Sequence, residues 1–222
     1  MKMHLSKKIS TEKRFTRLLA HQTGDRPLYD TPVMESQTWV VAPSLGALLP
    51  GWLIILPRRA ALNFRQWAKA GGDPFNVLAE VGAALGLERA DYIWFEHGPR
   101  TEGTAVGCGV DYAHIHMLIR PPFSFDDFVT QLRSDDRVCW RNVSPSEIYA
   151  EPALAGSYFA VGHGDRALMA SEVEEAGSQY IRRAVARLVG MDSAWNYREF
   201  PHHQNIKKTV DLVHGMRDAV RR

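Results

Sequence analysis

Apolar residues fall along this chain in short blocks punctuated by proline and glycine. Trp39-Val40-Val41-Ala42 is β-branched and aromatic, and it reads as a strand ended by Pro43. Pro50-Gly51 marks a turn, after which Trp52-Leu53-Ile54-Ile55-Leu56 reads as a second strand stopped by Pro57. The two predict an antiparallel hairpin with a long loop. Asp73-Pro74 is a helix start, with the acid as cap and proline at the first helical position. Phe75, Leu78, Val81 and Leu85 then recur at helical spacing, and Gly86 suits the exit. Tyr92-Ile93-Trp94-Phe95 gives a third strand and Val110 to Ile119 a fourth, with a glycine-rich loop from His97 to Gly109 between them. Pro121-Pro122 ends that strand, and Ser124 followed by Asp127 resembles a capping box for a helix through Leu132. This order predicts an α+β fold built on an antiparallel sheet.

The rest of the chain divides around this core, taken as residues 27–135. Residues 1–26 are polar, with a short amphipathic helix predicted from Ser10 to His21. Residues 136–222 read as an extension packed on the core. There Tyr158-Phe159-Ala160-Val161 and Ala167-Leu168-Met169-Ala170 flank Gly162-His163-Gly164-Asp165 as a hairpin. Helices follow from Glu172 to Val189 and from about Asn205 to Val220.

Composition narrows the class. With 45% apolar and 23% charged residues among 222, the chain is long enough and apolar enough for a buried core. A formal net charge of +2 gives no argument for a stable nucleic-acid partner or a membrane surface. Cys108 and Cys139 are too few for a disulfide scaffold or a four-cysteine zinc site, which points to a reduced compartment. The basic, polar start from Met1 to Arg14 has no signal-peptide core, and no stretch reaches the roughly 20 apolar residues of a membrane span. A cytoplasmic location is the expectation.

The chemistry concentrates in Asp111-Tyr112-Ala113-His114-Ile115-His116-Met117. Alternation along a strand puts Tyr112, His114 and His116 on one face and Ala113, Ile115 and Met117 on the other. Two imidazoles and a phenol make a poor core face, because each needs a hydrogen-bond partner. Three readings follow from the residues: exposed histidines with local partners, a metal site completed by a third ligand such as His97 or Cys108, or an imidazole nucleophile.

The segment Gly107-Cys108-Gly109-Val110-Asp111-Tyr112-Ala113-His114-Ile115-His116-Met117-Leu118 resembles the histidine triad signature, in which three histidines alternate with apolar residues. Upstream, Trp39 to Ser44 and Leu49 to Arg59 resemble that family's two-strand entrance, so the similarity spans about residues 28–122. The resemblance implies an antiparallel sheet with helices packed on one side. It also implies a nucleotidyl hydrolase or transferase, a nucleotide or nucleotide-conjugate substrate, a homodimer, and neither cofactor nor metal. By position His114 is the nucleophile that attacks the α-phosphorus, and His116 contacts phosphate oxygens.

The match departs from the family pattern at several positions. Tyr112 stands where the first histidine usually sits, and can keep an orienting role but not relay protons at neutral pH. Trp52 and Ala60 replace the two entrance histidines, and Ser44 stands where a ribose-binding acid or amide is usual. Further candidates for substrate contact are Glu96 and His97 at the end of the third strand, and Cys108 and Gly109 in the loop. Gln179, Arg182 and Arg198 join them from a Ser-Gln-x-x-Arg-Arg and Trp-x-x-Arg pattern like that of longer bacterial triad-like proteins. Arg183 reads as a solvated helix residue and His202-His203 as a polar loop pair.

Overall fold

The computed structural model describes residues 11–20, 26–108, 110–150 and 156–222. Much of the polar N-terminal segment, and Gly109, therefore lie outside the described residues; within it, helix α1 spans Thr11–Leu19.

Eight strands form one antiparallel sheet. In chain order they are β1 (Met34–Glu35), β2 (Trp39–Pro43), β3 (Trp52–Pro57), β4 (Tyr92–Gly98), β5 (Ile115–Ile119), β6 (Arg141–Val143), β7 (Tyr158–His163) and β8 (Arg166–Ser171). In space they run β1-β2-β3-β5-β4-β7-β8-β6. The C-terminal hairpin continues the sheet of the core: β7 pairs with β4, from Trp94 opposite Gly162 to Gly98 opposite Tyr158. An unpaired β4 edge would leave a row of N–H and C=O groups to satisfy, and β7 takes them. A two-residue turn at Gly164-Asp165 closes β7 onto β8, with Gly164 at φ +58° as such turns require.

Helices cover both faces, not one as the triad resemblance implies. Side chains alternate strand by strand, so Leu53, Ile55, Trp94, Ile115, Met117 and Ala160 share one core. That face is covered by α2 (Phe64–Lys69), α3 (Pro74–Ala84), α5 (Pro145–Ala150) and α7 (His203–Val220). Trp52, Phe95, Leu118, Phe159 and Leu168 face the other way, beneath α4 (Phe125–Arg133) and α6 (Tyr180–Leu188). Because the central strands are buried on both sides, their sequences are continuously apolar instead of alternating. Each fully buried large side chain contributes about 1.5–3 kcal/mol.

Local signals explain several boundaries. The Asp73 carboxylate accepts from the N–H groups of Phe75 and Asn76, capping α3 ahead of Pro74. Ser124 and Asp127 form a reciprocal capping box at α4. The helix predicted from Glu172 is broken: a short 3-10 turn at Glu174–Ala176 and two positive-φ residues, Gly177 and Gln179, delay α6 to Tyr180. The strand predicted from Val110 starts only at Ile115. Before it, the Val110 N–H bonds back to Gly107 O and the Ala113 N–H to Ala61 O, so residues 110–114 run outside the ladder.

Candidate active site

The candidate residues gather on the second sheet face. A pocket of about 500 Å³, counting its open mouth, is lined by His114, His116 of β5, His97 and Phe95 of β4, and Trp52 and Ile54 of β3. Ser44 and Leu45 of the β2–β3 loop, Cys108 and Val110, and Phe15 of α1 complete one side; Gln179, Arg182 and Tyr197 close the other. The wall therefore draws on nearly the full length of the chain.

His114 lies just before β5 and is buried. Its Nδ1 stands 2.8 Å from the backbone carbonyl of Tyr112. A carbonyl can only accept, so Nδ1 carries the hydrogen and the lone pair of the neutral ring is on Nε2. Phe15 packs edge-on against this ring, centroids 5.3 Å apart, and fixes its plane. His116 follows with its ring 5.0 Å from that of His114. It is stacked on Phe95 at 4.5 Å, and its Nδ1 is 2.9 Å from the indole nitrogen of Trp52.

A third imidazole joins them from the neighbouring strand. His97 is 5% exposed, and its ring lies 6.1 Å from that of His116. Burial, aided by the nearby cations Arg182 and Arg183, drives its pKa down to about 3, so it is neutral at physiological pH. Its Nε2 accepts a long bond, 3.4 Å, from the Ile181 N–H at the start of α6. Nδ1 must then bear the hydrogen, and it has no hydrogen-bond partner among the described residues.

The other predicted residues divide between pocket and frame. Arg182 is buried and donates to Gly46 O, to Leu45 O at 3.0 Å and to Ser44 Oγ at 3.4 Å, while its guanidinium lies 4.5 Å over the Trp52 ring. It joins α6 to the β2–β3 loop at the pocket wall. Gln179 lines the pocket, but its amide bonds Asn196 and the Tyr197 N–H. The Cys108 sulfur accepts the Gln179 N–H at 3.2 Å, and burial raises its thiol pKa, which marks it as a packing residue. Arg198 and the Tyr197 hydroxyl both donate to Cys108 O at 3.2 Å, so Arg198 braces the loop from an exposed position. Arg183 donates to Ala176 O and lies over Trp195, and His202 bonds Ala194 O; neither lines the pocket.

Two residues depart from expectation. Glu96 points through the sheet to the opposite face, where its carboxylate accepts from the Phe64 N–H and from the Tyr149 and Tyr158 hydroxyls. It cannot share a face with His97, its neighbour in the same strand. Gly98 is required beside it, because a Cβ there would lie 2.1 Å from the Tyr158 ring. The Tyr112 hydroxyl is also turned away: it donates to Pro57 O at 2.8 Å, and only the residue's backbone carbonyl serves the site. Sequence reasoning did not find Phe15, Phe95 or Tyr197 as pocket walls; they come from three distant segments, and no local signal joins them. Among the described residues, no group of three His, Cys, Asp or Glu side chains is arranged to hold a metal ion, and no helix is long and apolar enough to cross a membrane.

Eight antiparallel strands with helices on both faces, and three imidazoles in one pocket, define an α+β protein with a histidine-lined site. No protein-family model matches the sequence, and no curated protein does. Among solved structures it is similar to a Hit-like protein involved in cell-cycle regulation from Bartonella henselae, determined with an unknown ligand. The identity is 16%, the match covers 50% of this chain and 78% of that one, and the TM-score is 0.36.

Proposed function

We propose that this chain is a nucleotidyl hydrolase or transferase that works through a covalent bond between His114 and the α-phosphorus of a nucleotide-like substrate. The observation that carries the reading is the Nδ1–H contact of His114 with the Tyr112 carbonyl, which puts the lone pair of the neutral ring on Nε2 in a residue that lines the pocket. In the first step that lone pair forms a bond to phosphorus, and the bond from phosphorus to the leaving group breaks, with its electron pair going to the leaving group. In the second step water or another acceptor attacks phosphorus, the phosphorus–Nε2 bond breaks, and the imidazole returns. His116, its ring 5.0 Å from the nucleophile, is positioned for phosphoryl oxygens, and Arg182 adds a buried cation to the wall. The apolar side chains of Phe15, Leu45, Ile54 and Val110, the first of them aromatic, suit a flat base.

The test compares wild type with His114→Ala on a fluorogenic adenosine phosphoramidate and on diadenosine polyphosphates. Loss of turnover in the variant, with an acid-quenched adduct on His114 in wild type, supports the reading. Equal activity in both would sink it. A second reading is nucleotide binding without turnover, favoured by the Tyr112 hydroxyl being spent on Pro57 O. Calorimetry that finds AMP bound tightly and no product formed would select it. A homodimer, implied by the resemblance, would have to pair through surfaces other than the β4 edge, which β7 covers.

A further inference from the structure

Trp52 occupies an unusual place for a tryptophan: wholly buried, it spends its one polar atom on a histidine of the site. Its ring meets His116 edge-on, centroids 5.8 Å apart, with Nε1 at 2.9 Å from Nδ1. An indole nitrogen donates and cannot accept, so the direction of this bond is fixed by chemistry. His116 Nδ1 must accept, and the neutral ring must carry its hydrogen on Nε2. His114, held by a carbonyl, is in the opposite state, with its hydrogen on Nδ1. Two adjacent imidazoles are therefore set in complementary tautomers, with the lone pair on Nε2 of His114 and the hydrogen on Nε2 of His116.

The setting of the indole strengthens this bond. The Arg182 guanidinium lies 4.5 Å over its face, and a cation there draws density from the ring and makes the N–H a better donor. Arg182 is itself fixed by Gly46, Leu45 and Ser44, and Phe95 meets the other side of the arrangement edge-on to Trp52 at 5.8 Å and stacked on His116. The indole cannot rotate away without displacing these neighbours.

We propose that Trp52 is a positioning residue that locks His116 in its Nε2–H tautomer, so that His116 presents a permanent hydrogen-bond donor to an oxygen of the bound substrate. Its consequence for turnover rests on His114 being the nucleophile; the tautomer itself does not. The experiment uses the full chain, labelled with 15N in its histidine rings, with the His116 signals assigned by their loss in His116→Gln. Wild type should carry the His116 hydrogen on Nε2. Trp52→Phe, and a second variant with benzothienylalanine at position 52 that keeps the bicyclic shape but lacks the N–H, should spread it over both nitrogens. Turnover of the phosphoramidate should fall about tenfold in both, with KM changed less than about twofold, as expected for losing one buried hydrogen bond to a reacting group. The isostere keeps the test decisive if phenylalanine leaves a cavity that prevents folding. A His116 hydrogen on Nδ1 in wild type, or ring signals unmoved in the variants, overturns the proposal. A lock seen by 15N in a wild type that turns over no nucleotide supports the lock and removes the enzymatic reading instead.

Discussion

Replacing Glu96 by glutamine isolates one buried titration that belongs to the fold and not to the pocket. The carboxyl is fully buried, and desolvation raises its pKa from 4.5 to about 7 despite hydrogen bonds from Phe64, Tyr158 and Tyr149. A raised folded-state value means that the folded protein holds this proton more tightly than the unfolded chain. The associated stability is fully present below about pH 4.5 and is lost as pH rises through 7. The shift corresponds to roughly 3 kcal/mol over that window. Glutamine does not titrate, but its NH2 on the Oε2 side requires the Tyr149 and Tyr158 hydroxyls to turn from donating to accepting, at a cost of about 1 kcal/mol. Wild type should therefore be the more stable protein below about pH 4.5, and the Glu96→Gln variant the more stable by about 2 kcal/mol at pH 8, with the curves crossing at about pH 5. His97 contributes with the opposite sign. Its depressed pKa, about 3, makes the fold less stable as pH falls below the unfolded histidine value near 6.5. That contribution is common to both proteins and cancels in their difference. Urea unfolding at half-unit pH steps measures it. A difference that stays flat from pH 4.5 to 8, or that moves toward wild type as pH rises, would refute the argument and identify Glu96 as a carboxylate stabilised by its donors.

Three further outcomes are expected. Tyr112→Phe should lose about 1 kcal/mol of stability with the Pro57 hydrogen bond, yet keep turnover within a few-fold, because the site uses the residue's carbonyl; parallel urea melts and phosphoramidate assays decide. In the native protein a thiol reagent such as DTNB should modify the exposed Cys139 quickly and the buried Cys108 only on unfolding; two fast thiols would contradict the packing around Cys108. Asp73→Ala should cost about 1 kcal/mol through loss of the α3 cap, measured as a lower urea midpoint at unchanged slope.

How far the sequence reached depended on whether the cause was local. β2, β3, α3 and α4 were legible because Pro43, Pro57, Asp73-Pro74 and Ser124 act within a few residues of the boundaries they set. β6 was not, since Arg141–Val143 is short and polar and becomes a strand only by pairing with Ala167–Met169 of β8. The same holds for α2, whose cap Asn63 is fixed by Pro99 O and whose first N–H is met by Glu96. At the site, alternation gave only a polar face of Tyr112, His114 and His116, and the Tyr112 hydroxyl turns from it to Pro57 O. The same rule, applied to Glu96 and His97, separates them onto opposite faces and would have removed Glu96 from the substrate contacts. The tautomers were out of reach, because one depends on a carbonyl two residues away in a turn and the other on an indole from a different strand.

The pocket wall runs from Phe15 to Tyr197, and this has a consequence during synthesis. A ribosome adds about 5–20 residues per second, so Tyr197 emerges roughly 4 to 17 seconds after His114. Within that interval β4 first lacks β7, His97 then lacks α6 above it, and to its end the Cys108 loop has no brace from Arg198. His114 is made early and enclosed late, so a nascent chain carries it without the walls that the C-terminal segments contribute.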